Sequence, residues 1–183
     1  MHKPAPDWKA AAALELRKAH GWAPFTHGQM NYSLVCRDVE RDVIPMMRRY
    51  GLGPTVWSPL ASGFLSGKYT RESLKDPDNR YSGFDLLPFN KKQRFALVEQ
   101  MRPIAKRSVA QVALAWRLSK KAVTSIILGA TKLHQLEDNL GAVRLKLTPE
   151  DMAALDEATT LPKVYPTWFI EQLVDGELQK ALG

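Results

Sequence analysis

The chain has 183 residues, 45% apolar and 25% charged, which suffices for one sizeable core and points to a single domain over 1–183. Its 26 Lys and Arg outnumber 19 Asp and Glu for a formal net charge of +7. These cations fall in scattered pairs, such as Arg48-Arg49, Lys91-Lys92 and Lys120-Lys121, with no polybasic run, zinc-finger spacing or aromatic RNA-binding signature, which argues against nucleic acid.

Met1-His2-Lys3-Pro4 lacks the apolar core of a secretory leader, and no apolar run approaches a membrane span. The single cysteine, Cys36, permits no internal disulfide and reads as a buried or half-buried filler. A cytoplasmic protein is expected.

Asp7 precedes an alanine-rich run to about Ala19, with Gly21 as a stop. This spacing predicts a helix with Asp7 at its N-cap. Residues 25–32 have strand character that Gly28 weakens. Residues 39–50 set Val39, Val43, Met46, Met47 and Tyr50 on one helical stripe, and Pro45 implies a late start or a kink. Gly53-Pro54 opens a short strand, Thr55-Val56-Trp57, which Ser58-Pro59 ends. Residues 58–88 show no period, and an aperiodic connection of this length is usually functional or mobile.

Helix is expected again over 90–105, and from the capping box Ser108-Val109-Ala110-Gln111 to about Lys120. Val123–Leu128 predicts a strand. Thr131 is then expected to cap a helix carrying Leu133, Leu136 and Leu140 on one face. Thr148 and Pro149 start another helix. Pro162, Pro166, Trp168 and Phe169 belong to a C-terminal tail expected to pack on something apolar. Alternating strands and helices imply parallel strands with right-handed crossovers. An open doubly wound sheet and a closed eight-stranded barrel both fit that pattern. Three strands are evident, and a complete barrel typically needs roughly 250 residues, so the chain is too short to close one.

Two segments carry chemistry. Trp57 to Lys68 leaves a strand end, turns at Pro59 and runs through small residues, where backbone N–H groups and Lys68 can hold phosphate. Gly129-Ala130-Thr131-Lys132 leaves another strand end and enters a helix N-terminus, which favours an anion. Gln135, Asp138 and Asn139 follow on one helix face and can hydrogen-bond a purine or ribose. Plainer readings stand beside these: Trp57 as a core aromatic, Asp138 and Asn139 as a solvated face, and Ser58-Pro59 and Gly129 as turn chemistry. The joint occurrence after two strands favours a phosphate site, since such sites sit at the last strands of barrels.

The motifs Gln29-x-x-Tyr32-Ser33, Trp57-Ser58-Pro59-Leu60 with Gly63 and Gly67-Lys68, Val112-Ala113-Leu114-Ala115-Trp116, Ile127-Leu128-Gly129-Ala130-Thr131 and Gln135-Leu136-Glu137-Asp138-Asn139 occur in that order. Together they resemble the C-terminal half of an aldo-keto reductase, on the bacterial and potassium-channel β-subunit side of that superfamily. The resemblance implies part of a (β/α)₈ TIM barrel, about its last three strands with their helices and C-terminal extra helices.

It also implies NADP(H) as cofactor. Gln29 would contact the nicotinamide carboxamide and Trp57 would stack on its ring. Ser58, Pro59, Leu60, Ala61, Ser62 and Lys68 would line the pyrophosphate. Gly129, Ala130 and Thr131, with Lys132 adding charge, would meet the adenosine 2′-phosphate. Gln135, Asp138 and Asn139 would meet adenine and ribose, although the family commonly has Glu where Asp138 stands. An arginine near Arg80 often closes over the cofactor.

The family reduces aldehydes and ketones with a Tyr/Lys/His/Asp tetrad on its first four strands. No residue of this chain matches a tetrad position, and no metal-ligand cluster is evident. His27 reads as a core histidine, with His20 and His134 exposed. The expectation is a truncated reductase that holds cofactor and is inactive alone. The alternatives are a reductase completed by a second chain, acting on a small carbonyl substrate, and a non-enzymatic NADP-sensing or scaffolding half-barrel. Self-association, or a missing N-terminal half, would cover the open sheet.

Overall fold

The computed structural model describes residues 7–76, 91–106 and 108–172. In chain order it holds α1 (Asp7–His20), β1 (His27–Asn31), α2 (Val43–Arg49), β2 (Gly53–Trp57), α3 (Lys91–Met101), α4 (Val109–Ser119), β3 (Ser125–Ile126), α5 (Leu133–Gly141), α6 (Pro149–Ala158) and α7 (Thr167–Gln172). The strands form one parallel sheet in the order β1-β2-β3. The expected parallel α/β arrangement is present, and among the described residues the three-stranded sheet does not close. Arg80 lies outside the described residues.

The period-2 alternation of a strand decides which residues are covered. In β1, Met30 is buried while His27 and Gln29 are exposed; in β2, Pro54 and Val56 are buried while Trp57 is exposed. The covered side meets α2 and α4. Met30, Met47, Val56, Val112 and Trp116 join one core there, with Tyr32 and Leu155. Gly28 lies under α2: a Cβ at this position would lie 2.9 Å from Met47 Cε, so a larger residue would require the end of the Met47 side chain to shift.

Local signals translate unevenly. The capping box at Thr148 forms with Asp151, and Pro149 opens α6. Ser108 caps α4 by accepting from the Gln111 amide, but the Gln111 side chain does not return the bond. It reaches Asp138 on α5 instead. Pro45 sits in the first turn of α2, where a missing N–H costs nothing. Asp7 lies in the first turn of α1 rather than at a cap.

Lys132, not Thr131, precedes α5 as its N-cap. β3 is two residues long instead of the expected six. The aromatic tail does not bury itself: Tyr165, Trp168 and Phe169 contact one another and remain exposed. Cys36 is half-buried and free.

A charged cluster holds α6 to the core. Arg37 pairs with Glu40 at 2.8 Å and with Asp156 at 3.1 Å. Asp156 also accepts from Trp116 Nε1 at 3.0 Å and from Lys120 Nζ at 2.7 Å. Tyr32 donates its hydroxyl to Glu40. Burial alone would raise the Glu40 carboxyl, but hydrogen bonds from Arg37 and Tyr32 override it and hold it below the usual range.

Arg117, fully buried, lies with its guanidinium carbon 3.0 Å from the Tyr32 ring centroid. Its three side-chain nitrogens have no hydrogen-bond partner among the described residues. Burial lowers its pKa to about 10, so the charge costs stability at neutral pH, and the cost shrinks only as pH rises past that value. Arg117→Met is therefore expected to leave the unfolding free energy unchanged or raise it by about 1 kcal/mol. A urea midpoint that falls instead would show that the ring contact outweighs desolvation.

Candidate functional site

The two strand-end segments emerge side by side. Because the strands are parallel, their C-terminal ends share one edge of the sheet. Asn31 pairs in register with Trp57, and Val56 with Ile126; the Ile127 amide donates to the Val56 carbonyl at 2.8 Å. Gln29, Asn31, Thr55 and Trp57 alternate onto the open face of the sheet, with Gln29 opposite Thr55. Trp57 is 41% exposed. It is therefore not a core aromatic, and its ring is available as a platform.

His27 also lies on this face. It was expected in the core, but it is exposed and its Nδ1 bonds Thr26 Oγ1 at 2.8 Å. The reason is the alternation itself, since odd positions of β1 face away from the helices. His20 and His134 are exposed as expected.

After Trp57 the backbone takes a constrained path. Ser58, Ala61 and Ser62 have φ of 52°, 50° and 57°, and Gly63 and Gly67 have 89° and 73°. Left-handed φ at three non-glycine residues is uncommon and clusters at ligand clamps and active sites. Internal bonds fix the path: Ala61 N to Ser58 O at 2.9 Å, Gly63 N to Leu60 O at 2.9 Å, and Ser62 N to Ser58 Oγ at 3.1 Å.

Those bonds correct one expectation, because the amides of Ala61, Ser62 and Gly63 are already committed. What this loop can offer an anion is then largely its hydroxyls and the exposed Lys68. The Lys68 chain folds back so that a Cβ on Gly63 would lie 3.4 Å from its Nζ. Pro59 and Ala61 are buried and Leu60 half-buried, forming the floor of the turn.

At the second strand end, Gly129, Ala130, Thr131 and Lys132 are exposed. Gln135 Oε1 accepts from the Thr131 amide at 3.2 Å and from its hydroxyl at 3.3 Å, closing the turn that enters α5. The polar face of α5 is not solvated. Asn139 is buried, and Asp138 is half-buried with both carboxylate oxygens bound to α4. Leu133, Leu136 and Leu140 are exposed instead. Hydrogen bonds from the start of α4 turn the polar side of α5 inward and its leucine stripe outward.

Asn31 went unremarked in the sequence. It stands two residues beyond Gln29 on the same face, opposite Trp57, and its Oδ1 is buried without a hydrogen-bond partner among the described residues. The i, i+2 step from Gln29 was the available signal.

A cavity of about 880 Å³ lies between α3 and α6 and is lined by Gln100, Ile104, Asp151 and Leu155 among others. No residue of the strand-end segments lines it. No group of His, Cys, Asp and Glu among the described residues is arranged to hold a metal ion. No helix among them is long and apolar enough to cross a membrane.

A family model described as the aldo/keto reductase family matches residues 6–160. A protein from Glycine max named probable aldo-keto reductase 1 is 32% identical over 152 residues, which is 81% of this chain and 44% of that relative. The match thus spans less than half of the relative's length. With a parallel α/β sheet, two adjoining strand-end segments and a family match over most of its length, the chain belongs to the aldo/keto reductase family.

Proposed function

We propose that this chain is the dinucleotide-holding part of an NADP(H)-dependent reductase of aldehydes and ketones, and that it transfers no hydride by itself. The observation that carries the reading is the left-handed path of Ser58, Ala61 and Ser62 directly after an exposed Trp57. Trp57 would stack on the nicotinamide, with Gln29 and the unpartnered Asn31 oxygen toward its carboxamide. Ser58 and Ser62, over the Pro59-Leu60-Ala61 floor, and Lys68 would meet the pyrophosphate.

Gly129, Ala130, Thr131 and Lys132 would take the 2′-phosphate, where the helix dipole and a lysine favour negative charge. Gln135 and Asn139 lie next along α5 toward the adenosine. When bound, the cofactor supplies a hydride; this chain's share is to hold and orient it. Among the described residues, nothing near Trp57 has the arrangement of a tuned proton donor. The carbonyl chemistry then depends on a Tyr/Lys/His/Asp set supplied with the first strands of a barrel, in the same protein or by a partner.

Titration of the chain with NADPH, followed by nucleotide fluorescence, tests this. Saturable binding that is weaker for NADH is expected. Trp57→Ala should weaken it about tenfold through lost ring contact. Absence of binding would overturn the proposal. NADPH consumption with an aldehyde panel by the pure chain would overturn its second half.

A further inference from the structure

The first turn of α4 touches both candidate segments. On the loop side, the short turn Phe64–Ser66 packs on α4. Gly67 lies so close that a Cβ would be 3.3 Å from Val109 Cγ2. On the α5 side, the buried Gln111 donates Nε2 to the Asp138 carbonyl at 2.8 Å and to its Oδ1 at 2.9 Å. Ser108 Oγ donates to Asp138 Oδ2 at 2.5 Å. Gly141, one turn on, presses against the Gln111 side chain so tightly that a Cβ there would overlap it. The loop after β2 and the helix after β3 therefore share one support, built from contacts on Ser108, Val109 and Gln111 at the N-cap and first turn of α4.

We propose that this turn is a bracket that sets the spacing between the two segments. Gln111 and Ser108 are positioning residues for the adenosine end of the dinucleotide, and Asp138 acts through them instead of touching the ligand. The inference rests on the dinucleotide reading above and sharpens it. Asp138 is one carbon shorter than a Glu, and both of its oxygens are turned into the α4–α5 contact. Supporting groups of this kind hold a binding residue in place without contacting the ligand themselves.

A double-mutant cycle on the full chain decides it. Gln111→Leu, Asp138→Ala and the double variant are titrated with 2′,5′-ADP and, separately, with nicotinamide mononucleotide. Gln111→Leu is expected to weaken 2′,5′-ADP about tenfold, as for a lost buried hydrogen-bonding group, with the mononucleotide affinity unchanged. The double variant should bind 2′,5′-ADP no worse than the weaker single one, because both changes break one linkage.

Additive losses would overturn the proposal by showing that Asp138 meets the ligand itself. Equal weakening of both fragments would overturn it by reducing the bracket to general stability. Should Gln111→Leu fail to fold, Ser108→Ala tests the same coupling through the other oxygen. Wild-type protein that binds neither fragment overturns the dinucleotide reading itself. Wild-type binding that Gln111→Leu leaves intact overturns the bracket alone.

Discussion

Asp156→Ala is expected to lower the unfolding free energy by about 3 kcal/mol, the lower part of the range for breaking a buried ion pair. One carboxylate on α6 pairs with Arg37, in the segment between β1 and α2, and accepts from Trp116 Nε1 of α4 and from Lys120 Nζ just beyond it. Removing it leaves the Trp116 N–H without its acceptor in a side chain that is fully buried. It also leaves Arg37 and Lys120 in a region where, among the described residues, Glu40 is the carboxylate left to oppose them, beside the charged Arg117.

The carboxylate is 36% exposed, which screens part of the attraction and keeps the expected loss from reaching the top of that range. Asp156→Asn separates the contributions. It retains an acceptor for Trp116 and gives up the charge, so a loss of about half as much is expected. The measurement is the urea midpoint at constant slope. An unchanged midpoint for Asp156→Ala would mean that apolar contacts such as Leu155 seat α6 unaided.

How much of this was legible in the sequence depends on the range of the interaction. The Thr148-Pro149 start of α6 and the Ser108 start of α4 were legible because a cap acts within four residues. The three parallel strands were legible because alternation and turn residues are local as well. The orientation of α5 was not. By period its leucines form the apolar stripe, and an apolar stripe ordinarily turns inward. Here the decisive contacts come from Ser108 and Gln111, far away in the chain, and no window of sequence shows them.

The same limit applies to His27. Its strand was placed correctly, but which face is open depends on where α2 and α4 pack. The capping box at Ser108 failed halfway for a related reason: Gln111 had a better partner on another helix than on its own cap. In the candidate site, the two segments were legible as strand ends leading into small residues and a helix N-terminus, and the family likeness supplied roles for their residues. The backbone strain in the first, and the commitment of its amides, emerged only in three dimensions.

Ala61→Val is expected to cost about 3 kcal/mol, from a β-branched side chain at left-handed φ combined with overpacking. Ala61 is fully buried at φ 50°, with its amide on Ser58 and its carbonyl accepting from Phe64, so neither the backbone nor the cavity can yield without undoing the turn. Ala61→Gly makes the more informative companion. Glycine relieves the positive φ but loses a buried methyl and gains freedom when unfolded, so stability should move by less than about 1 kcal/mol.

NADPH affinity should nonetheless fall several-fold in the glycine variant if the stiff path from Ser58 to Ser62 is what presents Ser62 and Lys68 to the pyrophosphate, since preorganisation is then lost without any contact being removed. Parallel urea and NADPH titrations of the two variants separate these effects. Full NADPH affinity in Ala61→Gly would show that the left-handed backbone serves the packing of Phe64 and Leu65 beneath the loop and plays no part in holding the dinucleotide.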